Sequence, residues 1–486
     1  MQEIRRLFIA AAAALLGIPG AGAVELPSKA RSPAVDYVRI CDAFGKRFFY
    51  IPGTDTCLKI SGFVRADYGF RNVTNQFGIA GGNVPAPTEV PGGIDHAIGD
   101  VESDSAASRQ SSSFAVRSRV DFDARTKTEY GTLRGFVGIQ SDNRSGFLGE
   151  NNPILDNLVK VDKVYIQFAG VTAGRVQSFF DFYADAYPLD ISRGSDESTI
   201  ALAYTASFGG GFSATIALED SVKRRSTGIG SLQTNVPVPG LPPSPEFRSA
   251  VHGGSKVPDI VGVLLFDAGE EGWGRAQLSG AYHQINTVNT NAVGAAKANA
   301  AGWAVQAGVL INLPMLAKGD EFYAQGAYAV GAKNYLGVDE SLGDRTNALS
   351  RHDVDAVAVA TAPTVLEGVD GGPYKLEKGR GFNVQAGFLH YWRPNVRQYV
   401  WTAYTTWNYG AAARNADWLR GGFNNGKEFF AGTGVIWAPV TNLEVIADLS
   451  YSRLTQKINT SENALPPRAH KNGSSFTGRL RLLRKF

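Results

Sequence analysis

The sequence predicts an exported all-β protein, a transmembrane antiparallel β-barrel of about sixteen strands. Three features point to it: an export signal at the N-terminus, ten-residue segments of alternating character repeated along the chain, and connections that alternate between short and long.

The export signal comes first. Arg5 and Arg6 precede an apolar run from Leu7 to Ile18, followed by Ala21-Gly22-Ala23, an A-x-A cleavage site that would leave Val24 as the first mature residue. The run is about twelve residues long, whereas a spanning helix needs about twenty, so a cleaved signal fits better than a membrane anchor. Residues 1–23 are therefore expected to be a signal peptide, 24–57 a periplasmic N-terminal segment and 58–486 the barrel. Beyond the signal no apolar stretch is long enough to cross a bilayer as a helix, and the mean hydropathy is −0.13. No Pro/Ser-rich linker divides the 486 residues, which favours one large architecture over several domains. The 56 glycines and 11% aromatic content suit many strands, tight turns and interfacial rings. Removing the signal, with Glu3, Arg5 and Arg6, takes the net charge from +3 to +2, and no nucleic-acid partner is indicated.

Export also decides the cysteines. Cys41 and Cys57 are the two in the chain, and in an oxidising compartment such a pair is expected to form a disulfide. The spacing is not C-x-x-C and no histidine lies nearby, so neither a metal nor a redox role is expected.

The alternation is clearest from Phe114 to Lys127. Phe114, Val116, Ser118, Val120, Phe122 and Ala124 share one face, while Arg117, Arg119, Asp121, Asp123, Arg125 and Lys127 share the other. A soluble sheet alternates too, but its inner face must be dry, and a ladder of Arg and Asp suits an aqueous lumen instead. Similar faces recur at Val164, Ile166 and Phe168, at Phe212, Ala214, Ile216 and Leu218, at Trp303 to Ile311, and at Leu443 to Tyr451. Such an interior implies a water-filled pore for small hydrophilic solutes and ions.

The connections set the orientation. Short turns are expected near Tyr130-Gly131, Gly209 to Gly211, Gly269 to Gly272, Pro314 to Gly319, Arg393 to Val396 and Val440 to Asn442. Longer stretches lie between them: Asn72 to Ser113, Asn143 to Leu158, Asp220 to Lys256, Lys333 to Lys378, Ala411 to Lys427 and Gln456 to Gly473. Short turns belong to the periplasmic side and long loops to the exterior, and an even strand count puts both barrel ends in the periplasm. On the last strand Phe476, Gly478, Leu480, Leu482, Arg484 and Phe486 share a parity, and the terminal Phe486 resembles the signal that barrels present to their assembly machinery. Arg484 departs from that pattern and is expected to snorkel to the interface.

The segment Tyr37 to Gly45, continuing from Phe49 through Cys57 to Gly62, resembles the N-terminal signature of the porin family of alphaproteobacteria. The likeness continues more loosely through Gly174 to Asp181 and to Phe486. It implies a sixteen-stranded barrel, a homotrimer, and passive diffusion of small hydrophilic molecules across the outer membrane of a Gram-negative bacterium. It also implies an external loop folded into the lumen after the fifth strand, from about Ser178 to Ser198. There Asp181, Asp185, Asp190, Asp196 and Glu197 accompany a single basic residue, Arg193. Facing them would be a basic wall of Lys59, Arg65, Arg117, Arg119, Arg125 and Arg134, and unlike charges across a narrow passage make a transverse field. The pore constriction is thus expected at the loop acids together with Arg65, Arg117, Arg119 and Arg134. The alternative is that Arg and Asp merely pair along a solvated wall.

Trp303, Tyr399, Trp401, Trp407 and Trp437 read as interfacial belts, with a sugar-stacking track as the sharper alternative. No HExxH, GxSxG or phosphate-loop motif occurs and the histidines are scattered, so neither an enzyme nor a bound cofactor or metal is expected. A surface receptor or adhesin, or a substrate-specific channel, remains compatible with the long loops. Outer-membrane lipids are the remaining expected partner.

Overall fold

In a computed structural model, the structure describes residues 39–74, 111–148, 159–183, 187–189, 194–225, 230–231, 251–269, 271–288, 297–338, 355–360, 374–411, 414, 425–457 and 472–486. The proposed signal peptide, 1–23, lies outside them.

The barrel strands follow in chain order. They are β1 (Cys57–Thr74), β2 (Ser112–Thr128), β3 (Gly131–Arg144), β4 (Val159–Phe168), β5 (Val171–Gln177) and β6 (Ser198–Gly209). Then come β7 (Phe212–Glu219), β8 (Asp259–Asp267), β9 (Gly274–Val288), β10 (Lys297–Asn312) and β11 (Glu321–Val330). The last are β12 (Arg380–Arg393), β13 (Val396–Asn408), β14 (Asn425–Val440), β15 (Leu443–Lys457) and β16 (Asn472–Lys485). Each pairs antiparallel with its neighbour in sequence, and β16 returns to β1 from Thr74↔Ser474 to Phe63↔Lys485, closing a barrel of 16 strands. The closure is completed by Phe486, whose N–H donates to the Gly62 carbonyl (3.0 Å) and whose carbonyl accepts from Gly62 N–H (3.1 Å). Closure matters because it leaves no edge strand, so every backbone group in the sheet can be satisfied without water.

The side chains follow the period of two. Ile60, Val64 and Tyr68 on β1, Phe114 and Val116 on β2, Ile200 and Leu202 on β6, and Leu480 and Leu482 on β16 are all exposed on the outer surface. The residues between them are polar or charged: Asp67, Asp123, Gln140, Glu219, Asp259 and Asp448 are buried inside. An outer face of this kind is unfavourable in water and is what a hydrocarbon environment selects. Val64→Arg is accordingly expected to cost roughly 2–4 kcal/mol, the range for a cation on the lipid face near mid-membrane. A lowered urea midpoint of the barrel folded in lipid, against an unchanged midpoint for an inward Ser61→Asn, is the result that checks it.

Arg484 shares the outward parity of Leu480 and Leu482, and its Nη1 donates to the Thr441 carbonyl in the β14–β15 turn (3.3 Å). The long stem thus lies along apolar surface while its head reaches the polar rim.

The short turns follow β2, β4, β6, β8, β10, β12 and β14, all at one rim. The turn after β4 was not anticipated. Ala169 (φ 48°) and Gly170 (φ 84°) both adopt left-handed conformations, which a two-residue hairpin turn requires and which the dipeptide Ala-Gly advertises poorly. A Cβ on Gly170 would come within 2.8 Å of the Thr205 carbonyl oxygen, so the turn also needs glycine for space.

One set of expectations is corrected. Trp303 and Trp437 do lie on the outer face, but Tyr399, Trp401 and Trp407 are 0%, 3% and 0% exposed. They are on the inward parity of β13, whose outward residue Val400 is 47% exposed. Assigning these rings to an interfacial belt amounted to a one-residue slip, which in a strand exchanges the two faces.

Cys41, ahead of β1, is disulfide-bonded to Cys57, the first residue of β1, with Cα atoms 6.0 Å apart. The bond holds a short strand, Phe49–Tyr50, against the start of β1 and packs Phe48 beneath the inward cations Lys59 and Arg125. Replacing both cysteines by serine is expected to destabilise the folded chain by about 3 kcal/mol, from the restored freedom of the unfolded loop. Equilibrium urea unfolding of the two proteins measures it.

Candidate functional site

On the inner wall from β16 through β1 to β4, side chains directly opposite across strands are neighbours. The register sets Arg65 against Arg117 and Arg125 against Arg134, pairs of like charge that are unfavourable unless carboxylates separate them. Asp123 does so for the second pair. Its two oxygens accept from Arg125 (3.0 and 2.7 Å) and from Arg134 (2.9 and 3.0 Å). Arg119 donates to Asp121 (2.7 Å) and to Asp162. Asp162 is the extra residue where the β3–β4 register shifts, and the bulge is what lets its carboxylate reach the arginine. Arg117 donates to Asp142, which also lies 3.5 Å from Arg144 and 3.9 Å from Lys160. On the other side Arg481 donates to both oxygens of Asp67. Arg65, Arg117, Arg119 and Arg134 are therefore gathered on one wall, each within reach of at least one carboxylate.

The opposite part of the interior holds the segment that follows β5. Its Phe180 is fully buried among small inward residues, including Ala203, Ala217, Ala281, Ala304 and Ala327. The Phe180 carbonyl accepts from Ser279 Oγ on β9 and Gln306 Nε2 on β10, both at 2.8 Å. Phe182 lies over Gly308, where a Cβ would meet its ring at 2.3 Å, so glycine there makes room for the segment. Tyr183 stacks on Tyr323 (4.4 Å) and Tyr187 on Tyr399 (5.7 Å), and the Tyr187 hydroxyl donates to Glu321 (2.6 Å). Burial first, then neighbouring acidic groups, push both loop hydroxyls far above the usual tyrosine range, so they remain donors. Arg479 on β16 donates to the Leu189 carbonyl. The segment thus touches inward residues from β9 around to β16.

Of the loop acids, Asp181 is not where the sequence suggested. Its side chain is 1% exposed and forms an ion pair with Arg224 at 3.0 Å. It also accepts from Gln177 (2.6 Å), Ser195 Oγ and the backbone N–H of Glu197 (2.8 Å). A carboxylate so enclosed holds the ends of the loop together and is already neutralised, which removes it from any field across the lumen. Asp196 is exposed and accepts from Gln177 (3.0 Å). Glu197 is half-buried, and desolvation pushes its carboxyl above the ordinary range. Asp185, Asp190 and Arg193 lie outside the described residues.

A second inward piece was not anticipated. After β11 the residues from Ala332 to Val338 include a single 3-10 turn, Lys333–Leu336, with Tyr335 and Leu336 fully buried. Tyr335 meets Phe180 edge-on (4.7 Å), lies under the Arg224 guanidinium (4.4 Å) and donates to Asp259 (2.7 Å). Inward His283 is bonded to the same Asp259 (2.8 Å). Arg224 therefore joins three stretches of chain that are far apart in sequence. The inward parity of Arg479 and Arg481 could have been read from the outward Phe476 and Leu480; the roles of Arg224 and Tyr335, in connections without periodicity, could not.

An interior so charged cannot be a hydrophobic core, and an exterior so apolar cannot face water. The molecule belongs among the outer-membrane β-barrels with an aqueous interior, the porins. Residues 25–478 match the porin subfamily, and the chain belongs to that family. It is 30% identical over 314 residues to porin Omp2b of Brucella neotomae, covering 60% of this chain and 76% of that one. Porin Omp2b of Brucella canis is 31% identical over 283 residues, 56% of this chain and 68% of its own. Among solved structures, the outer-membrane channel DcaP of Acinetobacter baumannii superposes with a TM-score of 0.56 at 13% identity, over 90% of this chain and 99% of that one, a likeness of fold. The protein is an outer-membrane diffusion porin of a Gram-negative bacterium.

Proposed function

We propose that the segment from Ser178 to Glu197 forms the constriction, by filling the side of the lumen lined by β8 to β13 and leaving a passage along the basic wall. Arg65, Arg117, Arg119 and Arg134 bound that passage on one side. The loop bounds it on the other, with Asp185, Asp190, Asp196 and Glu197 as its acidic members and Asp181 as its internal anchor. The observation that carries this reading is the set of bonds from Ser279, Gln306 and Arg479 to loop carbonyls, which tie main chain to the inward wall. A polar passage of this kind would admit small hydrophilic solutes by diffusion and exclude apolar ones. The chain is read as a pore and not an enzyme, acting as a homotrimer, exported by a signal cleaved after Ala23 and handed to the assembly machinery through Phe486.

Reconstitution in a planar bilayer tests the reading. Conductance that opens in steps of three, and that rises when residues 179–189 are deleted, is the expected result. A folded barrel that conducts nothing would overturn the pore, and one whose conductance ignores the deletion would overturn the constriction.

A further inference from the structure

We infer that the passage is anion-selective and that Arg65 is its anion-binding station; this rests on the reading of the lumen as an open pore. Every carboxylate described on the wall from β16 to β4 is already engaged. Asp67 is held by Arg481, Asp121 and Asp162 by Arg119, Asp123 by Arg125 and Arg134, and Asp142 by Arg117. Two of these acids serve more than one cation, so the wall keeps a positive excess after pairing. Asp181, which would have opposed it, is neutralised by Arg224.

Arg65 is where that excess is concentrated. It sits mid-way along β1, on the inward parity, directly opposite Arg117. The nearest acid oxygen to its Nε is on Asp67, at 3.6 Å, beyond hydrogen-bond length and on a carboxylate that Arg481 already holds. Its Nε is buried and has no hydrogen-bond partner among the described residues. A buried guanidinium N–H without an acceptor is costly, and like charges across a strand pair add to the cost. A small anion accepting from Arg65, beside Arg117, relieves both. The remaining 19% side-chain exposure gives it access from the lumen. The ligand class is a monovalent inorganic anion or a carboxylate; a planar fork such as guanidinium binds either, and reversible capture by one or two arginines slows passage little.

The experiment is the zero-current potential of the purified, reconstituted protein across a potassium chloride gradient. Wild type is expected to pass chloride in preference to potassium. Arg65→Gln is expected to lower the chloride-to-potassium permeability ratio by about threefold or more, the scale of removing one positive charge from a narrow pore. Arg65→Lys, which keeps the charge, should retain most of the selectivity and guards against a misfolded glutamine variant. Arg453→Gln, which removes an exposed cation of outward parity on β15, should leave the ratio unchanged. Cation selectivity in wild type would overturn the inference, since it would mean that Asp185 and Asp190 dominate the passage. An unchanged ratio in Arg65→Gln would overturn the site, and absence of any conductance would instead sink the pore reading beneath it.

Discussion

Arg224→Ala is expected to loosen both inward segments at once and to raise single-channel conductance. The arginine is 1% exposed, pairs with Asp181 at 3.0 Å, and lies over the Tyr335 ring at 4.4 Å. Its removal leaves the Asp181 carboxylate buried without a cation, and breaking a buried pair from one side costs roughly 3–5 kcal/mol. Few barrels need unfold to relieve that cost, because the loop can lift instead and take Asp181 into water. The expected signature is therefore a wider, noisier channel and an only slightly lower unfolding midpoint of the barrel. Asp181→Asn should behave similarly, since it removes the carboxylate that Arg224 pairs with. If conductance in both variants matches wild type, the ion pair is not what seats the segments.

The barrel was legible in the sequence because its determinants are local and repeated. The lipid face, the charged face and the alternation of turns with loops each follow from period-two spacing, and many strands carry the same message. The faces of Phe114 to Lys127, Phe212 to Leu218 and Leu443 to Tyr451 fell where expected because each strand carries several large apolar residues that agree. Tyr399, Trp401 and Trp407 misled for the opposite reason. Aromatic rings are suited both to interfaces and to filling space beneath a docked loop, so residue type did not choose the face. The alternating Thr402 and Thr406 on the same strand gave no apolar contrast to correct the parity. The turn at Ala169-Gly170 escaped for want of a strong turn pair.

The interior was legible only in part. Arg65, Arg117, Arg119 and Arg134 share a wall because they lie on neighbouring strands, and parity plus strand order reaches that far. How the carboxylates are apportioned among them is not a periodic property. It depends on a bulge that delivers Asp162, and on the closing strand that brings Arg481 to Asp67 from 414 residues away. The loop acids looked equivalent as a composition, yet Asp181 is an anchor because Arg224 arrives from the connection after β7. Long-range partners of this kind leave no trace in spacing.

Phe180→Ala separates the two ways in which the loop is held. The ring is fully buried against Tyr335 and a floor of alanines, and deleting such a ring costs roughly 3–5 kcal/mol, with little collapse expected of a rigid sheet around it. The main-chain carbonyl is unaffected and still accepts from Ser279 and Gln306, so the segment retains its tether to β9 and β10. If side-chain packing dominates, Phe180→Ala should raise conductance as much as Arg224→Ala does. If the polar tether dominates, conductance should stay near wild type while Ser279→Ala with Gln306→Ala opens the channel. The first outcome is expected, because each retained hydrogen bond contributes only about 0.5–1.5 kcal/mol net. Closed-to-open transitions in Phe180→Ala recorded at single-channel resolution, set beside those of the double variant, decide between them.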